Sequence, residues 1–300
     1  MFFGKPYYQF IPYHLLKLIK HSVQIRLNET LLTVPTRGIG SLTYLHYYPN
    51  WQTEVIKWLL PYNEGVFIDI GANLGQTLLS FLAAQPQQEV KYIGFEPNPK
   101  CVDFLRHIIR INQLNNCIVV PIGLSNSTTL FTLYLKPDIS TDTGASIIND
   151  LRPSIPTYET QLIPCYCFDS IGKEVDIHAI SLVKIDVEGA ELEVLKGIRN
   201  SLMEYKPFLI CEVLYADYKA DLDNYARRMK FLMELLFDIR YLTFRICKKD
   251  INKNIEKLIR INSFPVKKWT YQNCEECDYL LIPEEKVAAI THSGITCEVE

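Results

Sequence analysis

Short apolar runs alternate along the chain with stretches in which apolar residues recur at helical spacing. "VFIDI" (66–70) is apolar except for one acid, and "GQTLLSFLAAQ" follows it with a helical period. "VKYIGFE" (90–96) reads as a second strand, "PKCVDFLRHIIRINQL" as a helix with Pro99 in its first turn, and "NNCIVVPIGLS" as a third strand. These strand runs do not alternate with polar residues, as expected of parallel strands covered on both faces. "TTLFTLYLK" (128–136) alternates more and predicts an added β segment. The stretch 137–160, rich in Ser, Thr, Asp and Pro, reads as a loop too long to be an idle connector: a binding loop or lid, or else disordered. The alternation then resumes. "AISLVKIDVEG" is a strand, "AELEVLKGIRNSL" a helix, "KPFLICEVL" a strand and "YARRMKFLMELLFD" an amphipathic helix. "IRYLTFRICK" and "CDYLLIPEE" read as two last strands. This order predicts an α/β fold, a doubly wound, mostly parallel, seven-stranded Rossmann-like sheet. Residues 1–62 are expected to form an N-terminal helical/β cap, with helices at about 13–21 and 51–60, and residues 63–300 the main domain.

Composition narrows the partners. A net charge of −3 in 300 residues gives no bulk electrostatic reason to expect nucleic acid or an acidic membrane. Nine scattered cysteines, several inside apolar runs such as "FLICEVL", read as free thiols in a reducing compartment, and the protein as cytoplasmic. Cys165 and Cys167 (C-x-C) with Cys274 and Cys277 (C-x-x-C) make a weak zinc pattern without a supporting His pair. The apolar N-terminus is broken by Pro6, Pro12, His14, Lys17 and Lys20 before the ~20 residues a membrane span needs. It also lacks the features of a secretory signal. Packing on the domain is its simpler reading and surface attachment to a membrane the alternative.

In an open parallel sheet, ligands bind beyond the carboxyl ends of the strands. Those ends carry acids: Asp69, Glu96, Asp186 with Glu188, and Glu212 in or near the end of the fifth strand. A carboxylate at Glu96 can accept hydrogen bonds from both hydroxyls of a ribose, in a methyl-donor nucleoside or a dinucleotide alike. The turn after the first strand separates the two. A pyrophosphate needs a bare glycine turn at a helix N-terminus, yet Asn73 stands where the dinucleotide fingerprint has its second glycine, and Asp69 would repel the phosphate. The same acid suits a cationic ligand bearing an amino group.

"DIGANLG", "FEPNPKCVDFLRHIIRIN", "VKIDVEGAELEVLKG" and "PFLICEV" together resemble the FkbM family of S-adenosylmethionine-dependent methyltransferases, over about residues 65–214. The resemblance implies a class I methyltransferase sheet and S-adenosyl-L-methionine as cofactor. By it, Gly71, Ala72, Asn73 and Gly75 form the cofactor turn. Asp69 holds the methionine end directly or through water, Glu96 binds the ribose, and Gly123, Leu124 and Ser125 contact adenine. Asp186 and Glu188 face the methyl-transfer site, and Asp186, Glu188 or Glu212 serves as base for a hydroxyl acceptor on a small molecule or saccharide. "DVEG" on the fourth strand differs from the proline motif of methyltransferases acting on nucleic-acid amines, so no nucleic-acid partner is expected. No second acidic motif fixes a divalent metal on Asp186. Lys184 reads as a strand-end ion pair or an orienting group, and Glu191 and Glu193 as solvated first-turn acids. The alternatives are a nucleotide-cofactor oxidoreductase on a similar sheet and a binding protein that keeps the cofactor site.

Overall fold

The computed structural model describes residues 22–28, 30–36, 44, 45, 47, 49–84, 90–136, 142, 144–149, 153, 159–175, 177–249, 254–288 and 295–299. The helix expected at 13–21 lies outside these. Two short strands, β1 (Ser22–Leu27) and β2 (Thr30–Pro35), pair as an antiparallel hairpin whose turn places Asn28 at φ +52°. Every second residue of β1 is buried, so one face is apolar. Helix α1 (Trp51–Leu59) begins at a capping box in which Asn50 accepts from the Thr53 amide and Thr53 from the Asn50 amide.

The central sheet follows. Its elements in chain order are β3 (Val66–Ile70), α2 (Gln76–Ala84), β4 (Tyr92–Phe95), α3 (Pro99–Ile111) and β5 (Cys117–Val120). A small layer intervenes, made of β6 (Gly123–Leu124), β7 (Thr129–Leu135), β8 (Glu159–Tyr166) and the short α4 (Phe168–Ile171). Then come β9 (Ile180–Ile185), α5 (Glu191–Gly197), α6 (Arg199–Tyr205), β10 (Phe208–Glu212), α7 (Leu222–Asp238), β11 (Tyr241–Lys249), β12 (Asn254–Ile261), β13 (Asp278–Pro283) and β14 (Thr296–Val299).

The sheet runs β14-β12-β11-β13-β10-β9-β3-β4-β5. From β5 to β10 the strands are parallel, and β13 is antiparallel to both β10 and β11. The seven expected strands, β5 to β11 in this order, form the doubly wound sheet, and β12 and β14 extend its far edge. Successive residues of each central strand serve opposite cores. Phe67, Tyr92, Leu182 and Ile210 meet α1, α2 and α3 on one face. Ile68, Ile93, Val183 and Leu209 meet α4 to α7 on the other. That two-sided burial is why these strands read as unbroken apolar runs. Hairpin β1–β2 packs Val23, Ile25 and Val34 against Leu79 and Ile108. Asn112 fastens it by bonding both polar groups of the Thr33 backbone, at 2.6 and 2.9 Å.

Three readings of the sequence change. "NNCIVVPIGLS" divides into β5 and β6 on either side of Pro121, whose missing N–H cannot continue a ladder. "AELEVLKGIRNSL" divides into α5 and α6 at Ile198. The last residues of the supposed loop belong to β8, which pairs along the whole of β7. No described helix is long and apolar enough to cross a membrane.

Candidate active site

The turn after β3 is built from its own hydrogen bonds. The amides of Gly71 and Ala72 both donate to Phe95 O, at 3.0 and 3.1 Å, and that of Gly75 donates to Ala72 O. The Leu74 amide donates to Asn73 Oδ1 and the Asn73 amide to Glu96 Oε2, each at 2.8 Å. Every amide from 71 to 75 is thus engaged, and none is left to form the nest of donors that cradles a pyrophosphate. Gly71 has φ +85°, and a Cβ there would lie 1.9 Å from Asp186 O, so the β3 turn and the end of β9 touch through backbone alone. Asn73 has φ +44°, a left-handed conformation that Asn tolerates better than most residues.

Glu96, at the end of β4, is buried in the cavity wall. Its second oxygen accepts from the Asn98 amide at 2.7 Å. Burial is the main cause that pushes this carboxyl up to about 7, and the two backbone amides oppose it. Two amide donors leave lone pairs on both oxygens for further hydrogen bonds.

Across the cavity, the turn after β9 carries Asp186, Val187 and Glu188. Glu188 and Gly189 are both left-handed, at φ +53° and +94°. Lys184 Nζ lies 2.6 Å from Asp186 Oδ2 and is itself buried. Burial alone would pull this ammonium down, but Asp186, Asp69 and Glu212 outweigh it and hold it above its ordinary value. Glu212, at the end of β10, hydrogen-bonds Asp186, and the charge of Asp186 together with burial drives its carboxyl far up. Two carboxylates this close share a proton instead of both ionising.

The cavity brings together Gly71, Ala72, Asn73, Glu96, Gly123, Leu124, Asp186 and Glu188 of the expected residues. It leaves out four. Asp69 is fully buried below the turn, where its Oδ2 accepts from Tyr92 OH at 2.5 Å; burial pushes it up to about 6, and it does not reach the wall. Gly75 (φ +89°) faces the interior, where a Cβ would meet Tyr44 OH at 2.4 Å and Leu105 Cδ2 at 2.7 Å, so packing explains this glycine. Ser125 is buried with its amide on Tyr166 O, outside the wall. Glu212 stands one strand beyond, behind Asp186. The solvated reading of Glu191 and Glu193 also fails. Glu191 is buried, accepts from the Gly189 amide at 2.8 Å and is pushed by burial up to about 7. Glu193 pairs with both terminal nitrogens of Arg228, at 2.8 and 2.6 Å.

Sequence reasoning missed Leu133 of β7 and Cys165 of β8, which line the cavity, while the loop expected to bind contributes Asp142 and Ile147 and the N-terminal region contributes Gln52 at the start of α1. The loop crosses the site. Asp142 O accepts from Asn73 Nδ2 at 3.4 Å, and Ser146 Oγ donates to Glu188 O at 2.6 Å. Loop composition was the available signal. Among the described residues, no cluster of His, Cys, Asp and Glu is arranged to hold a metal ion.

Known proteins resemble the chain over part of its length. The hexuronic acid methyltransferase AglP of Haloferax volcanii is 29% identical over 166 residues, 54% of this chain and 62% of that protein. The methyltransferase sdnD of Sordaria araneosa is 28% identical over 165 residues, 46% of this chain and 62% of that one. The matched region thus spans less than two thirds of either relative. The crystal structure of a methyltransferase FkbM from Methylobacillus flagellatus KT covers 73% of this chain and 43% of its own, at 20% identity and a TM-score of 0.39. The family model described as the methyltransferase FkbM domain matches residues 69–246, from Asp69 in β3 to Ile246 in β11, and with more than half its length inside that match the chain belongs to the FkbM methyltransferase family.

Proposed function

We propose that the protein is an S-adenosylmethionine-dependent methyltransferase acting on a hydroxyl of a small molecule or saccharide. The observation that carries the cofactor is Glu96: a buried carboxylate in the cavity wall, fixed by two backbone amides and retaining acceptor capacity, beside a turn whose own amides are all engaged. That pairing suits a ribose and gives a pyrophosphate nothing to bind. Gly123 and Leu124 offer an apolar edge for the base, and Gly71 lets the β3 turn close against the backbone at the end of β9. Bound there, S-adenosylmethionine supplies a methyl group on a positively charged sulfur.

The chain's own residues account for the rest. Methyl transfer to oxygen needs an aligned hydroxyl and a destination for its proton. Alignment alone is worth about 7–11 kcal/mol. Asp186 lines the cavity and is backed by Glu212, with Lys184 holding its Oδ2. In this arrangement Asp186 accepts the hydroxyl proton and Lys184 steadies the carboxylate before transfer. Glu188 lies on the same turn and orients the acceptor. The saccharide side of the proposal draws support from the name of the Haloferax volcanii relative. We take residues 1–62 as a cap on the domain formed by residues 63–300, since Gln52 closes one wall of the site.

Titration calorimetry with S-adenosylhomocysteine tests the cofactor. Binding should be measurable, and Glu96→Ala should weaken it about tenfold or more, the worth of a hydrogen bond to a charged group. Preferential binding of NAD in the same experiment would overturn the reading. Once an acceptor is found, Asp186→Asn should lower turnover while affinity for S-adenosylhomocysteine holds.

A further inference from the structure

Two loops outside the cavity carry a cluster of exposed rings. One follows β10 and the other precedes β13, and both leave the sheet at the edge where β9 and β10 end. The first presents Tyr218, 61% exposed, and the second Trp269 and Tyr271, 37% and 86% exposed. The rings of Trp269 and Tyr271 meet edge to face at 5.0 Å.

The backbone beneath them is fixed. Ala216 is bonded to the second loop through both its backbone groups, with Trp269 N donating to Ala216 O at 2.7 Å and Ala216 N donating to Lys267 O at 3.1 Å. Lys268 Nζ ties the first loop by donating to Tyr218 O and Ala220 O, at 2.6 and 2.9 Å. Asn273 closes the second by bonding Thr270 N and Lys268 O. A rim held this way presents its rings without a large ordering cost on binding. It also continues from the reactive end of the site, because Glu212 and Asp278, which begin and end the two loops, sit opposite each other in the β10–β13 ladder.

The chemistry of the rim selects its ligand. Exposed aromatic clusters mark interaction sites, and Tyr and Trp offer a flat apolar face with a polar tip. Aliphatic surface is sparse here, Val266 being its exposed example. Acids interleave with the lysines: Asp217 and Asp221 lie near Lys219, and Glu276 accepts from both Lys267 and Tyr215. This mixed charge repels an anionic bilayer or a nucleic-acid backbone as much as it attracts one. A sugar ring matches it, with C–H faces to stack on the rings and hydroxyls to bond carboxylates and amines.

We propose that Tyr218, Trp269 and Tyr271 form a docking platform for a saccharide chain, outside the methyl-transfer cavity and on the same rim. That the bound chain carries the methyl acceptor rests on the methyltransferase reading above; the platform itself does not.

The full-length protein should be applied to an array of neutral and uronic-acid-containing oligosaccharides, and the strongest binder titrated in solution. Tyr271→Ala, at a position too exposed to disturb the core, and the double variant Trp269→Ala/Tyr271→Ala should each weaken binding, the double by about tenfold or more. S-adenosylhomocysteine affinity should stay unchanged in both. No binding on the array, or undiminished binding by the double variant, overturns the platform. So does binding to phosphatidylcholine–phosphatidylserine vesicles that the double variant loses while no saccharide binds. Saccharide binding without any binding of S-adenosylhomocysteine would leave the platform standing and remove the methyltransferase reading.

Discussion

Asn73 occupies the place of a glycine and behaves partly as one. Its backbone is left-handed at φ +44°, and its side chain caps the next amide. The sequence showed a departure from the dinucleotide fingerprint there; the structure adds that the departure consumes the donors a phosphate would need. Asn73→Val should therefore cost about 1–3 kcal/mol of stability by forcing a β-branched residue into this region, whereas Asn73→Gly should be milder; urea denaturation of both variants measures the difference. Glu96 was legible because an acid at a strand end has few structural uses. Its companion Asp69 misled, since a sequence cannot show that Tyr92 takes up its carboxylate below the turn. The raised carboxyl of Glu96 makes a pH prediction. A ribose prefers the ionised form, which is the minor one below about pH 7. Affinity for S-adenosylhomocysteine should hold at pH 8 and fall as the pH drops through 7, by up to about tenfold per unit well below it. Asp69 and Glu191 titrate in the same window, so calorimetry on Glu96→Gln isolates Glu96: the variant should bind weakly and lose most of the pH dependence.

At the level of elements, the strands of the sheet were readable because burial on both faces writes itself as an apolar run. Strand β8 escaped because Pro164 interrupts it. Pro164 is tolerated there since β6 pairs only with Cys165 and Tyr166, leaving β8 at Pro164 with β7 as its one partner in the small sheet. Helix α7 was readable as amphipathic, but not its reach into the site. Arg228 extends from it to bond Glu193 twice and Gly189 O at 2.7 Å. With Glu191 on the Gly189 amide, this clamps the left-handed pair that aims Asp186 and Glu188. Arg228→Met should lower stability by about 1.5–3 kcal/mol and speed amide exchange across residues 187–190, with little effect on S-adenosylhomocysteine affinity. Arg228→Lys should rescue little, because a single ammonium cannot span both partners as the guanidinium fork does. Exchange rates unchanged in Arg228→Met would show that the turn holds itself.

Across the whole molecule, a seam of charge runs along the top of the sheet from β9 to β11. Lys184 meets Asp186, Asp186 meets Glu212, Glu212 faces Asp278, and Asp278 pairs with Lys248, which also reaches Glu275 at 2.9 Å. Asp186, Lys184 and Glu212 could be singled out from their places at strand ends, but Asp278 and Lys248 could not, because antiparallel pairing of β13 with β10 and β11 brings them into the seam. Lys184 pairs with Asp186 at the head of this seam, and its side chain is 5% exposed. Lys184→Met would strand Asp69 and Asp186 without it, at a cost of about 3–5 kcal/mol when those acids are ionised. The sign with pH follows from the acids. Burial already raises Asp69 above its unfolded value, to about 6, and losing Lys184, which lowers it, raises it further, whereas Glu212 is driven so far up by Asp186 and by burial that it stays protonated at both pH 5 and pH 8. An acid with a raised folded pKa contributes stability that is full below the unfolded value, near 4, and is lost as the pH climbs through the folded one. The penalty of Lys184→Met should therefore be small at pH 5 and several-fold larger at pH 8, read from urea denaturation against the wild type at both. Equal penalties at the two pH values would mean that Lys184 serves the fold by packing alone, and its electrostatic hold on the buried acids would lose its support.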